Sequence, residues 1–271
     1  MKQAAPLVNL VVSTGEPAGI GPEVSLAAAL DFLREQNDVA ITLLGDDQLL
    51  NLPKNLDTTL VGRLQIESIK LAAPVISGVL NPQNARYVIT LLDQAINGCQ
   101  QGRFDAMVTA PLQKSIINDA GTSFTGHTEY LAQRCNISHV VMMLCAPLPI
   151  GFLGLKSPRD LRVALVTTHV PLKDVPKALS YDLILETIQI VHQDLQKKFG
   201  IANPVIRMAG LNPHAGESGY LGREEIEMIA PAIEAAKAMG IQVSGPYPGD
   251  TMFDPESIAQ VDAFIAMYHD Q

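Results

Sequence analysis

Cysteine is scarce in this chain. Cys99, Cys135 and Cys145 are an odd number without metal-type spacing, which excludes a disulfide framework and a thiolate zinc site. Cys135 and Cys145 flank apolar runs and are expected to be inert, buried or half-buried thiols. Positive charge is also in deficit, with 19 Lys and Arg against 28 Asp and Glu and a net charge of −9. That balance argues against a nucleic-acid backbone or an anionic membrane as the main partner, while leaving room for a small phosphorylated ligand held by local basic groups. No run approaches the roughly 18 uninterrupted apolar residues of a membrane span. The opening "MKQAAPLVNLVVSTGEP" lacks a cleavage site of small residues and reads as a first strand, not a signal peptide. A soluble, cytoplasmic protein is expected, and the sequon at Asn136–Ser138 is then a chance match. Internal repeats and low-complexity segments are absent too.

What is present is apolar patterning. Hydrophobic residues make up 47% of the 271 positions and charged ones 17%, the balance of one large or two intimate globular domains. Short β-branched runs alternate with amphipathic stretches, the pattern of a parallel sheet covered on both faces. Strands are expected at Leu10–Ser13, Val39–Leu44, Ala106–Thr109, Val140–Leu144, Val163–Val166, Val205–Ala209 and Ala263–Met267. Helical periodicity covers Pro22–Gln36, Gln83–Gln100, Lys177–Phe199 and Arg223–Met239, the last two ending at Gly200 and Gly240 as helix C-termini prefer. The stretch 51–60 reads as a loose connection.

Polar residues collect where these strands end. "TGEPAGIGPE", "APLQK", "TTHVPL", "GLNPHAGE" and "YHDQ" each follow a strand, and open α/β sheets bind ligands beyond the carboxyl ends of their strands. Three of the six histidines, His169, His214 and His269, take equivalent places after three strands. One such histidine is usually a hydrogen-bonded structural residue; three together point to a shared metal or catalytic site. His139 precedes its strand, at the opposite end of the sheet, and His192 lies mid-helix; both read as surface or structural residues.

In "TSFTGHTEYLAQR", Gly126, His127 and Thr128 stand at the mouth of a helix starting near Glu129. Free N–H groups, a hydroxyl and an imidazole there suit an anion, although Thr128 could equally be a plain N-cap. Lys114 offers a cation to the same anion, or is simply a solvated lysine. The glycines of "TGEPAGIGPEV" permit a tight turn and close approach of a ligand to the backbone, but their spacing is not the G-x-G-x-x-G fingerprint, so a standard Rossmann assignment fails.

Through "GEPAGIGPE", "INDAGTSFTGHTE", "VTTHVPL", "GLNPHAGE" and "AMYHDQ", nearly the whole chain resembles the 4-hydroxythreonine-4-phosphate dehydrogenase family of the vitamin B6 pathway. The resemblance implies an α/β fold of the isocitrate/isopropylmalate dehydrogenase-like α/β/α type, with two domains, here 1–124 and 125–271, and a cleft between them at a homodimer interface. It implies that His169, His214 and His269 bind one divalent metal, and that His127 and Thr128 bind the substrate. Asp250 matches an acidic residue facing the substrate, and Asp250 or Asp270 is the expected proton acceptor or imidazole-orienting group. The hydride acceptor is NAD or NADP, with no residue assigned to it. Three imidazoles suit Zn²⁺ or Co²⁺ better than Mg²⁺, though the family is metal-tolerant.

Two departures from the family pattern stand out. Residues 145–162 form a longer segment than expected, read as an extra hairpin or lid. The family also continues beyond "YHDQ" with a lysine, an asparagine and an arginine for the substrate, so this chain is expected to be truncated after Gln271. Three other readings stay open: a threonate or erythronate 4-phosphate dehydrogenase, a metal-dependent hydrolase, and an inactive truncated phosphate-binding chain.

Overall fold

A computed structural model describes residues 7–53 and 57–271. Residues 54–56, in the middle of the expected loose connection, lie outside that range, as do the first six. The chain divides into two units, Met1–Val140 and Val141–Gln271.

The first unit is built on four parallel strands, β1 (Val8–Ser13), β2 (Val39–Gly45), β3 (Leu64–Ser68) and β4 (Ala106–Thr109), in the order β3-β2-β1-β4. Successive strand residues face opposite sides, and the core divides accordingly. Val12 and Leu43 join Ala29, Leu30 and Leu33 of α1 (Gly21–Glu35). Their neighbours Val11 and Leu44 join Val88, Leu91 and Leu92 of α2 (Ala85–Gln100). The sheet is therefore covered on both faces, as expected. Two shorter helices follow β4, α3 (Lys114–Asp119) and α4 (His127–Arg134).

The division between the units falls after Val140. Helix α4 packs on the first unit's core through Tyr130, Leu131 and Cys135. The Asp93 carboxylate of α2 accepts from the Tyr130 hydroxyl at 2.6 Å and pairs with Arg134 at 2.9 Å. These are tertiary contacts that leave no mark on local periodicity.

The second unit holds five strands: β5 (Met142–Leu148), β6 (Arg159–Leu165), β7 (Val205–Ala209), β8 (Gln242–Tyr247) and β9 (Ala263–Ala266), in the order β5-β6-β9-β7-β8. One face carries α6 (Tyr181–Lys197) and α7 (Ala230–Ala238), packed through Ile184, Ile188 and Ile233 on Ile206, Met208 and Ile265. The other gathers Phe264, Met252 and Ile258, the last from α8 (Pro255–Gln260).

Several expectations need correction. The sheet is mixed: β5 runs antiparallel to β6, from Met142 opposite Leu165 to Leu148 opposite Arg159. The segment from Cys145 to Arg162 is the closed end of that hairpin with its connecting loop, which agrees with the hairpin expected there. The chain also enters β5 at the carboxyl end of β6, so His139 does not lie at the opposite end of the sheet. Cys145 is exposed on this edge strand, while Cys99 and Cys135 are half-buried and all three are free. The edge strands β3 and β8 were not anticipated; β8 contains the Gly245–Pro246 pair that argues against a strand. The expected helix from Lys177 is interrupted. A short α5 (Val175–Ala178) stops, and Ser180, in extended backbone, caps α6 by accepting the Leu183 N–H at 3.1 Å. The expected helix from Arg223 opens with a π-turn over Glu225–Ile229 before α7. Gly200 and Gly240 do terminate their helices, with φ of +70° and +85°. No helix among the described residues is long and apolar enough to cross a membrane.

The α2 packing yields a test of sign. A Cβ on Gly98 would sit 2.4 Å from the Phe104 ring. Gly98→Ala gains about 1 kcal/mol of helix propensity but meets an overpacking cost of about 1–3 kcal/mol. A net loss of stability is expected in chemical denaturation, despite the better helix former.

Candidate active site

Hydrogen bonding between β6 and β9 continues past both strands. The N–H groups of Val166 and Thr167 donate to the carbonyls of Ala266 and Met267, and the Thr167 hydroxyl donates to Met267 O at 2.7 Å. The two chains therefore leave the sheet side by side and deliver His169 and His269 together, with ring centroids 5.5 Å apart and planes tilted by 39°. Asp270 Oδ1 lies 2.9 Å from His269 Nδ1, which leaves Nε2 as the unengaged nitrogen of that ring. On the other side of β9, the Gln271 amide accepts from Met267 N at 2.6 Å and donates to Gly210 O at 2.5 Å, tying the end of β9 to that of β7.

His214 follows β7 but opens into a neighbouring recess with Asn212, Asp250 and Gln271. Tyr268 lines both that recess and the one holding His169, His269 and Asp270. The sheet thus brings the three histidines to one end of three adjacent strands. It sets only His169 and His269 face to face. No group of three His, Cys, Asp or Glu side chains among the described residues stands within metal-holding distance.

The backbone carrying His214 is unusual. His214, Ala215, Gly216, Glu217 and Ser218 are consecutive residues with φ between +42° and +80°. Left-handed helical backbone costs about 1–2 kcal/mol for a residue with a Cβ, so something must hold this turn. Glu225, only 4% exposed, accepts the N–H groups of Leu211 and Asn212 on Oε1, both at 2.7 Å, and the Asn212 side-chain amide on Oε2 at 2.9 Å. Burial alone would raise the Glu225 pKa, but these hydrogen bonds outweigh it and hold the group below the usual glutamate range.

The first unit carries the other candidate cluster. Gly126 is the N-cap of α4, with no side-chain cap, and Thr128 is already inside the helix, exposed. Thr128 is therefore not an N-cap. His127 Nε2 is buried without a hydrogen-bond partner. Lys114 Nζ lies 3.4 Å from where a Cβ on Gly126 would be, and the Glu129 carboxylate also flanks that point. Burial, and then the Lys114 charge, lower the His127 pKa and favour the neutral ring. An orphaned imidazole nitrogen, an ammonium and free helix N–H groups together suit an anion.

The glycines of the first loop serve the fold itself. A Cβ on Gly15 would meet Pro111 O at 2.2 Å and one on Gly21 would meet Thr14 O at 2.1 Å. The backbone they let approach is the protein's own. Glu16 is buried in this loop, accepts from Ala18 N at 3.1 Å, and has its pKa raised by burial.

The sequence model of the "Pyridoxal phosphate biosynthetic protein PdxA" family matches residues 22–271. The chain belongs to this family. Among its relatives, the 4-hydroxythreonine-4-phosphate dehydrogenase of Burkholderia vietnamiensis is 49% identical over 98% of this chain and 80% of its own length. That of Ralstonia nicotianae is also 49% identical, over 98% of this chain and 81% of its own. In structure, the 4-hydroxythreonine-4-phosphate dehydrogenase from Klebsiella pneumoniae superposes with a TM-score of 0.82 at 28% identity, over 98% of this chain and 82% of its own. These neighbours accord with the isocitrate/isopropylmalate dehydrogenase-like α/β class.

For this PdxA chain, the orphaned His127 gives a direct test. Its depressed pKa reflects burial and the unneutralised Lys114, so an anion docking beside both should raise it. An upward shift of the His127 ring titration in saturating inorganic phosphate is expected by NMR, and Lys114→Met should abolish the shift.

Proposed function

We propose that this chain is a 4-hydroxythreonine-4-phosphate dehydrogenase of pyridoxal phosphate biosynthesis. Its substrate is 4-phosphooxy-L-threonine, whose C3 hydroxyl is oxidised by hydride transfer to NAD or NADP. The resulting 2-amino-3-oxo-4-phosphooxybutanoate is a β-keto acid and loses CO₂ to give 3-amino-2-oxopropyl phosphate. Family membership supports the reaction class. The single structural observation that carries the site assignment is the pairing of His169 and His269 at adjacent strand ends, with the Asp270 carboxylate on one ring.

In this reading His169, His214 and His269 hold one Zn²⁺ or Co²⁺ ion. Three neutral imidazoles are donors such an ion prefers, and the order β6-β9-β7 sets the strands that carry them side by side. When bound, the ion supplies Lewis acidity to the substrate hydroxyl. Asp270 keeps the His269 Nδ1 proton in place and so presents Nε2 outward. Asp250, exposed in the recess of His214, is the group that takes the hydroxyl proton. His127, Lys114, the Thr128 hydroxyl and the α4 N-terminus bind the phosphate. The reading carries with it a cytoplasmic homodimer with the site at its interface.

Purified protein should take up about one Zn²⁺ or Co²⁺ per chain by elemental analysis. His214→Ala should weaken that uptake by about tenfold or more, and His192→Ala should leave it unchanged. Unaltered metal content in the His214 variant would remove the metal assignment. In an assay of NADH formation, Thr128→Val should raise KM for 4-phosphooxy-L-threonine more than it lowers kcat; an unchanged KM would sink the phosphate assignment.

A further inference from the structure

The run "GLNPHAGESGYLGREE" contains a feature that neither the strand-end pattern nor the reaction uses. Gly210, Gly216 and Gly222 recur every six residues and precede the pair Glu224–Glu225. The structure shows what they surround. A Cβ on Gly210 would stand 3.0 Å from Glu225 Oε1, and one on Gly216 would stand 2.6 Å from Oε2. A Cβ on Gly222 would collide at 2.3 Å with the Asn212 amide nitrogen, which donates to both Glu224 and Glu225. One buried carboxylate is thus wrapped by the residues just before and just after His214, with no space left for side chains at the glycines.

We infer that Glu225 is the positioning residue for His214, and that its two carboxylate oxygens, more than its bulk, hold the left-handed turn that places the imidazole. This inference rests on the metal-site reading above for its consequence in binding, but not for its geometry. Leu211 N and Asn212 N converge on one oxygen and the Asn212 side chain on the other. Every neighbour named is a donor. An amide in place of the carboxylate turns an NH₂ group toward a donor whichever way it is oriented, so Glu225→Gln preserves volume and removes one of the two acceptor oxygens.

Glu225→Gln should weaken zinc binding by about tenfold to a hundredfold, as loss of a group supporting a ligand does. It should also accelerate amide exchange at Leu211 and Asn212 while leaving Ile184 and Ile188 in α6 protected. In a His214→Ala background the same change should have no further effect on zinc affinity, because the ligand it positions is gone. If Glu225→Gln fails to fold, Glu225→Asp, which keeps the charge at shorter reach, should show a smaller loss of the same kind. Equal loss of zinc affinity with and without His214 would overturn the inference, as would wild-type exchange at Leu211 and Asn212. Should the unmutated protein take up no zinc, the metal reading falls and exchange at those two amides alone decides the role of Glu225.

Discussion

The histidine pair depends on a hydrogen-bond ladder that outlasts its strands. In a parallel pair, each carbonyl that loses its strand neighbour must find another donor. Between β6 and β9 the Ala266 and Met267 carbonyls find Val166 N, Thr167 N and the Thr167 hydroxyl. The two segments consequently stay in register for two further residues. His169 and His269 owe their mutual placement to that register, and the Gln271 amide extends the same cross-linking from β9 to β7. The histidine-bearing end of the second unit is a continuation of the sheet's own bonding, with side chains taking over from the backbone.

The two candidate clusters solve opposite electrostatic problems. Around His127, burial and Lys114 both work against a second positive charge and favour the neutral ring, and its buried nitrogen lacks a partner. Around Glu225, a carboxylate that burial would neutralise stays ionised because three donors converge on it. The first arrangement has unused hydrogen-bonding capacity. The second has both carboxylate oxygens engaged, which suits a scaffold.

Much of this was legible in the sequence for a simple reason. A parallel sheet places the residues after each of its strands at one end, so apolar runs followed by histidines carry spatial information that needs no tertiary calculation. Local pattern misleads where strand direction or tertiary packing intervenes. β5 reverses, which moves the entry to that strand beside the carboxyl ends of its neighbours and removes the contrast drawn for His139. β8 hides behind Gly245–Pro246, and α4 joins the first unit through Asp93, a contact no local pattern announces. His214 is legible in the sequence, but the left-handed turn that carries it is not, since the glutamate bonded just before it lies 11 residues further along (214 to 225). The even spacing of Gly210, Gly216 and Gly222 was the available signal. Its meaning is steric, and periodicity of hydrophobicity does not register it.

Strand β5 lies at the margin of its sheet, paired only with β6, and its sequence "MMLCAPL" contains no charge. Natural sheets protect such margins with charged residues, bulges or proline; here Pro147, opposite Asp160 in the hairpin, is the one such device within the strand. From Met142 to Ala146 the outward row of amides and carbonyls has nothing in its own sequence to refuse another strand, and Leu144 beside it is 44% exposed. The outer margin of β5 is thus open to pairing by another strand, and a single lysine there would act as a gatekeeper without touching a histidine.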